Sequence, residues 1–169
     1  MHQMHRVAEY LSIEAKRAKD DYADAFARSA FNRYYYASYL SVRGLLAMLD
    51  SAWKTTSHAA IPDLLESTLM KRVRRQARKL SDLGLLSIKE RRNLEKQAQI
   101  ASAEMATVLR GAYGVRVVAD YKPEQRVVFG GSEFSLANYT RHEALNWNAR
   151  VDKSKSVILR VAKELGIAN

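Results

Sequence analysis

Only two prolines, Pro62 and Pro123, and seven glycines interrupt 169 residues. Proline lacks the amide hydrogen that a helix interior needs, and glycine loses more backbone freedom than any other residue on folding. A chain this poor in both can run long helices and is short of the punctuation that many strands and turns require. The apolar residues follow the helical period. Met4, Val7, Leu11, Ala15, Ala18 and Tyr22 mark a first segment, from about residue 4 to 22. Phe26, Ala30, Tyr34, Ala37, Ser41, Leu45 and Met48 mark a second, from about 24 to 53. Ile61, Leu64, Leu65, Leu69, Val73, Ala77 and Leu80 mark a third, with Ser57 as its N-cap, Pro62 in its first turn and Gly84 after its end. Ser87-Ile88-Lys89-Glu90 has the form of a capping box and opens a fourth, buried through Leu94, Ala98, Ala101, Met105, Val108 and Ala112. The last spans about 135 to 165, through Ala144, Trp147, Val151, Ser154, Ile158, Val161 and Leu165.

Each stripe is one-sided, so the helices must bury their apolar faces against one another. Short connections between long helices predict antiparallel neighbours. The expected fold is all-α, a five-helix up-and-down bundle forming one domain over residues 1–169. The exception is about 111–134, where Gly111, Gly114, Pro123, Gly130 and Gly131 cluster. That stretch is expected to be an irregular loop, with Arg126-Val127-Val128-Phe129 as an extended clip.

Apolar residues at 47% and charged residues at 27% are ordinary for a globular chain. The absence of cysteine excludes disulfides and thiolate metal sites. Met1 to Leu11 has no apolar core of the signal-peptide kind, and Leu45 to Leu49, the longest clean apolar stretch, is too short to span a bilayer. A cytoplasmic protein without membrane attachment is the expectation. No cofactor motif is present: Arg141-His142-Glu143 lacks the second histidine of a zinc helix, and Asp20, Asp21 and Asp24 read as a solvated acidic turn rather than a metal site.

The net charge is +10, and most of it is concentrated. Between residues 71 and 92, Lys71, Arg72, Arg74, Arg75, Arg78, Lys79, Lys89, Arg91 and Arg92 stand against Asp82 and Glu90, nine charges against two, or +7. Such a segment either keeps a helix face solvated or meets a polyanion, most simply nucleic acid.

Arg28-Ser29-Ala30-Phe31-Asn32-Arg33-Tyr34-Tyr35-Tyr36-Ala37 is the densest aromatic stretch. So many rings on one helix cannot all face one core, and at least one hydroxyl must find a polar partner. Asn32-Arg33-Tyr34-Tyr35-Tyr36-Ala37, then Ser57-His58 with Ile61, then Arg116 followed by Ala119-Asp120-Tyr121 stand in an order that resembles the HEPN family of helical bundles. The resemblance covers about residues 5–165. It implies a bundle that dimerises and binds RNA or a nucleotide. It also implies a place in a bacterial toxin–antitoxin or antiviral system, with a nucleotidyltransferase as partner.

Many members of that family are metal-independent ribonucleases that use an arginine, four to six spacer residues and a histidine. Histidine can move the proton of a ribose 2′-hydroxyl while arginine steadies phosphate charge. That spacing is absent. Ser51, Ala52 and Trp53 precede His58, Ser135, Leu136 and Ala137 precede His142, and no arginine precedes His2 or His5. The residues that the resemblance offers instead are Arg33, His58, Arg116, Asp120 and Tyr121. Aspartate, with a reference pKa of about 3.9, is a poor acid near neutral pH. Asp120 therefore also reads as the partner of Arg33 or Arg116 in an ion pair. Two functions remain open: a non-catalytic module that holds RNA, a nucleotide or, as an adaptor, a nucleotidyltransferase partner, and a ribonuclease with an altered constellation.

Overall fold

The computed structural model describes residues 3–167; Met1, His2, Ala168 and Asn169 lie outside it. The described chain is mostly helical. α1 (Gln3–Arg17) and α2 (Asp20–Leu49) are followed by two short 3₁₀ turns, Ser51–Thr55 and His58–Ala60. The single turn α3 (Ile61–Asp63) runs without interruption through a π-helical stretch, Leu64–Leu69, into α4 (Met70–Asp82). α5 (Ile88–Tyr121), three short strands and α6 (Arg141–Glu164) complete it. No helix among the described residues is long and apolar enough to cross a membrane.

The chain divides into two compact units, and α2, α5 and α6 each contribute a stretch to both. The first unit takes the chain up to Ser41 together with Leu109–Ala149. Its core is Ala27, Phe31, Tyr34 and Tyr35 from α2, Ala112 and Val115 from α5, Phe134 and Leu136 from the strands, and Ala144 and Trp147 from α6. The strands β1 (Val128–Gly130), β2 (Glu133–Leu136) and β3 (Tyr139–Thr140) form an antiparallel sheet in that order. Phe129 lies opposite Phe134, and Leu136 opposite Tyr139. Ala137 and Asn138 join β2 to β3 at φ 50° and 65°, the left-handed pair that a two-residue hairpin loop needs.

The second unit comprises Val42–Val108 and residues from Arg150 onward. Leu45, Leu46, Ile61, Leu65, Leu69, Met70, Val73, Met105, Ile158 and Val161 supply its core. Ser87 and Glu90 close the expected capping box. The Glu90 carboxylate accepts from the Ser87 amide at 2.8 Å and hydroxyl at 2.6 Å, while the Glu90 amide donates to Ser87 Oγ at 3.2 Å. These bonds hold the Glu90 carboxyl below its ordinary pKa.

Several expected boundaries move. The stretch from 111 to 121 is helix, not loop, because Met105, Val108, Leu109, Ala112 and Val115 continue one buried stripe through Gly111 and Gly114. A helix-interior glycine costs about 1 kcal/mol, less than burying that stripe returns. The first helix stops at Arg17, and α2 begins at Asp20, whose φ of 54° turns the chain. α2 ends at Leu49, which leaves Trp53 in a 3₁₀ turn. Ser57 makes no side-chain capping bond. Ser135 lies in β2, so the last helix begins at Arg141, after a second capping box in which Thr140 and Glu143 exchange bonds of 2.8 and 3.1 Å.

Candidate nucleic-acid interface

α4 turns its sequence into two faces. Met70, Val73 and Ala77 are buried, whereas Lys71, Arg74, Arg75, Arg78 and Lys79 are exposed. The exposed five occupy positions i, i+3, i+4, i+7 and i+8, a continuous stripe on one side of a helix. At 1.5 Å per residue it is about 12 Å long. Its acidic neighbour, Asp82, stands at the helix end, 3.9 Å from Arg78 with both side chains largely in water. Arg74 also donates to Gln99 Oε1 on α5 at 2.8 Å.

The sixth basic residue of α4 turns aside. Arg72 Nη1 donates to Asp50 Oδ2 at 2.9 Å, and its guanidinium carbon stands 5.6 Å from the centre of the Trp53 ring. Asp50 is shared: its Oδ1 accepts from the Ala52 amide at 3.0 Å and caps the 3₁₀ turn that carries Trp53. One carboxylate thus ties the turn to α4, and the guanidinium is pinned over an indole face. Asp50, Trp53, Thr68, Lys71, Arg72 and Arg75 line a concavity of about 340 Å³. Farther along the basic segment, Arg91 is half-buried and pairs with Glu95 at 3.9 Å, while Arg92 is exposed on α5.

The residues of the motif resemblance are distributed over both units. In the first unit, Arg116 Nε stands 2.9 Å from Asp120 Oδ2, and the Arg116 guanidinium lies 5.2 Å from the Tyr121 ring centre. Asp120 Oδ1 accepts from Asn32 Nδ2 at 2.6 Å, which ties the end of α5 to α2. Partial burial works against charge on Arg116, but the Tyr121 hydroxyl and the Asp120 carboxylate outweigh it, so its pKa rises. Arg33, by contrast, is exposed. The partner of Asp120 is therefore Arg116, the neighbour one helical turn away, with Asn32 in the place expected for Arg33. His58 is half-buried in its 3₁₀ turn and belongs to the second unit.

The tyrosines divide as the ring count requires. Tyr34 is buried, edge-on to His5, with its hydroxyl 3.2 Å from Ser12 Oγ. Tyr35 packs among Tyr36, Tyr39 and Tyr113, where burial and the neighbouring phenols push its pKa up. The acidic turn is spent on structure: Asp24 binds Arg28 at 2.6 Å and the Val127 amide at 2.8 Å, and Asp21 meets Arg126 at 3.0 Å. No cluster of metal-ligating side chains occurs among the described residues.

Asp50, Trp53 and Thr68 were not legible as a group in the sequence, since Thr68 and Trp53 are fifteen positions apart by their numbers. A tryptophan beside a lysine just upstream of a basic helix was the one available signal. A larger concavity, about 800 Å³, is lined from α5 and α6 by Ile100, Ala101, Ala103 and Val157 together with Arg150 and Lys153. Arg150 bonds Glu104 at 2.7 Å across it, and Arg160 bonds Gln97. Comparison with protein-family models, curated proteins and solved structures finds no match to this chain.

Proposed function

We propose that this protein binds RNA, with the exposed face of α4 lying against the phosphate backbone. The observation that carries the reading is the stripe of Lys71, Arg74, Arg75, Arg78 and Lys79, five cations on one face with no carboxylate between them. Phosphates neutralised by such a face release condensed counterions, so affinity falls steeply with salt. Replacing Arg74, Arg78 and Lys79 together with glutamine should weaken binding to single-stranded RNA. The same change should flatten the plot of log K against log salt by about 0.7 per lost contact, about 2 in all. Unchanged affinity and slope would return α4 to the role of a solvated surface.

The motif order adds to this proposal a HEPN-type five-helix bundle that acts as a homodimer in a toxin–antitoxin or antiviral system, beside a nucleotidyltransferase. Light scattering at micromolar concentration tests the dimer. A second reading, a metal-independent ribonuclease, is favoured by the grouping of Arg116, Asp120 and Tyr121 with Asn32. It predicts RNA cleavage in the presence of a chelator that Asp120→Asn abolishes; intact RNA after incubation with the parent protein would end it.

A further inference from the structure

The α4 stripe accounts for Lys71, Arg74, Arg75, Arg78 and Lys79 as a track for any polyanion. It does not account for Trp53, nor for an arginine held out of the stripe. Asp50 neutralises one charge of the concavity and fixes Arg72, which leaves Lys71 and Arg75 as its other cations, with Thr68 also in the lining. Those three stand at i, i+3 and i+7, on one side of the helical run. The same lining includes an indole with a guanidinium already against its plane. Cations and a hydroxyl sharing one concavity with an aromatic platform suit a phosphate joined to a flat heterocycle. The volume, about 340 Å³, is at the low end for ligand sites, which run from roughly 300 to 1,000 Å³. It has room for one small group rather than an oligomer.

We propose that this concavity is a subsite for one unpaired, phosphate-bearing nucleotide of single-stranded RNA. The base lies against Trp53 and Arg72, and the phosphate lies between Lys71 and Arg75 beside Thr68. The proposal rests on the RNA-binding reading and narrows it. A base inside a duplex is already stacked on both sides and offers only its edges, so it cannot cover Trp53. Duplex RNA can use the α4 stripe but not the subsite. The protein should therefore discriminate strand from duplex at a position where it makes no base-specific contact.

The test uses the full chain and its own fluorescence. Of the two tryptophans, Trp147 is buried in the first unit, so quenching by a ligand on this surface reports Trp53. Three probes are titrated at one salt concentration: a ten-nucleotide uridine strand, a blunt ten-pair RNA duplex, and free uridine monophosphate. The strand should quench tryptophan emission and the duplex should not. Trp53→Leu, checked by circular dichroism for intact folding, should lose the quench and lower the strand-to-duplex affinity ratio about tenfold, within the range that base–aromatic stacking supplies. Trp53→Phe should restore part of that ratio, because a phenyl ring still offers a stacking face. Binding of both RNAs with an unchanged ratio in Trp53→Leu overturns the subsite and leaves the α4 proposal standing. Binding of neither RNA by the parent removes the RNA reading itself. Quenching by uridine monophosphate as strong as that by the strand identifies a free nucleotide as the occupant and overturns the assignment to RNA.

Discussion

Gly111 and Gly114 lie three residues apart within α5, yet replacing each with alanine should affect stability differently. In an exposed helix interior, alanine is favoured over glycine by about 1 kcal/mol. Gly114 is exposed, and a Cβ built there meets nothing within 4 Å, so Gly114→Ala should capture that gain. A Cβ on Gly111 would stand 2.5 Å from Tyr139 Oη and 3.1 Å from its Cζ. The Tyr139 ring cannot simply retreat, since it packs edge-on at 5.7 Å against Trp147, which is itself fully buried. Overpacking of this kind costs about 1–3 kcal/mol, so Gly111→Ala should be neutral to about 2 kcal/mol destabilising once the helix gain is included. The two variants should therefore differ by about 1–3 kcal/mol, or about 4–8 °C in Tm for a 2 kcal/mol difference in a domain of this size. Far-UV circular dichroism during thermal and urea unfolding measures both. Adding Tyr139→Phe to Gly111→Ala removes the closest atom and should recover part of the loss. A Gly111→Ala protein that melts as high as Gly114→Ala would refute the packing argument.

Asp120→Asn removes an ion pair that is largely but not wholly shielded, with side-chain exposures of 18% for Arg116 and 27% for Asp120. Its cost should be about 1 kcal/mol, closer to a surface pair than to the 3–5 of a truly buried one; a urea-unfolding loss above about 3 kcal/mol would contradict that placement. Glu133 accepts Arg141 Nη2 at 2.6 Å and Nε at 3.1 Å, and these bonds hold its carboxyl below the usual glutamate range, with Lys16 assisting. A lowered folded pKa stabilises above the unfolded value of about 4.3, and this contribution is lost as pH falls through the folded one. Glu133→Gln should consequently narrow the stability difference between neutral and acidic urea melts, and an unchanged pH profile would count against the pairing.

The amphipathic stripes and the Ser87 capping box were readable because their information is local: a period of three and four residues, or two side chains three apart. The Thr140–Glu143 box obeys the same rule and would have placed the start of α6, but the apolar pattern from Ser135 drew the boundary too early. Gly111 misled for the opposite reason. Its glycine answers to Tyr139, twenty-eight positions later by number, and has nothing to do with a turn. Arg28 was silent in the sequence as well. It donates to the carbonyls of Val118 at 3.1 Å, Ala119 at 3.2 Å and Lys122 at 3.3 Å, and to that of Gln125, so it closes the C-terminal end of α5 from another helix. Partners some ninety residues apart leave no periodic trace. In the candidate interface the charges were legible from composition, whereas the diversion of Arg72 required Asp50 and Trp53 to be placed in space.

The π-helical stretch Leu64–Leu69 gives the basic surface a property that its composition does not contain. Each residue of an α-helix advances the side-chain direction by about 100°, and a π segment inserts residues without completing the usual turn. Ile61, Leu65, Leu69, Val73 and Ala77 recur strictly every four positions and all are buried, a spacing that would drift around a regular helix. The wider turns absorb part of that drift. Deleting Ser67, an exposed residue, would let the five remaining residues close as regular helix, and five ordinary steps turn through about the same angle as six wider ones, so the stripe of α4 would keep its direction relative to Ile61. The π stretch therefore holds one residue more than an α-helix would need without moving the charge, whereas a residue added or lost within the regular turns of α4 would swing the stripe beyond it by about a quarter of a turn.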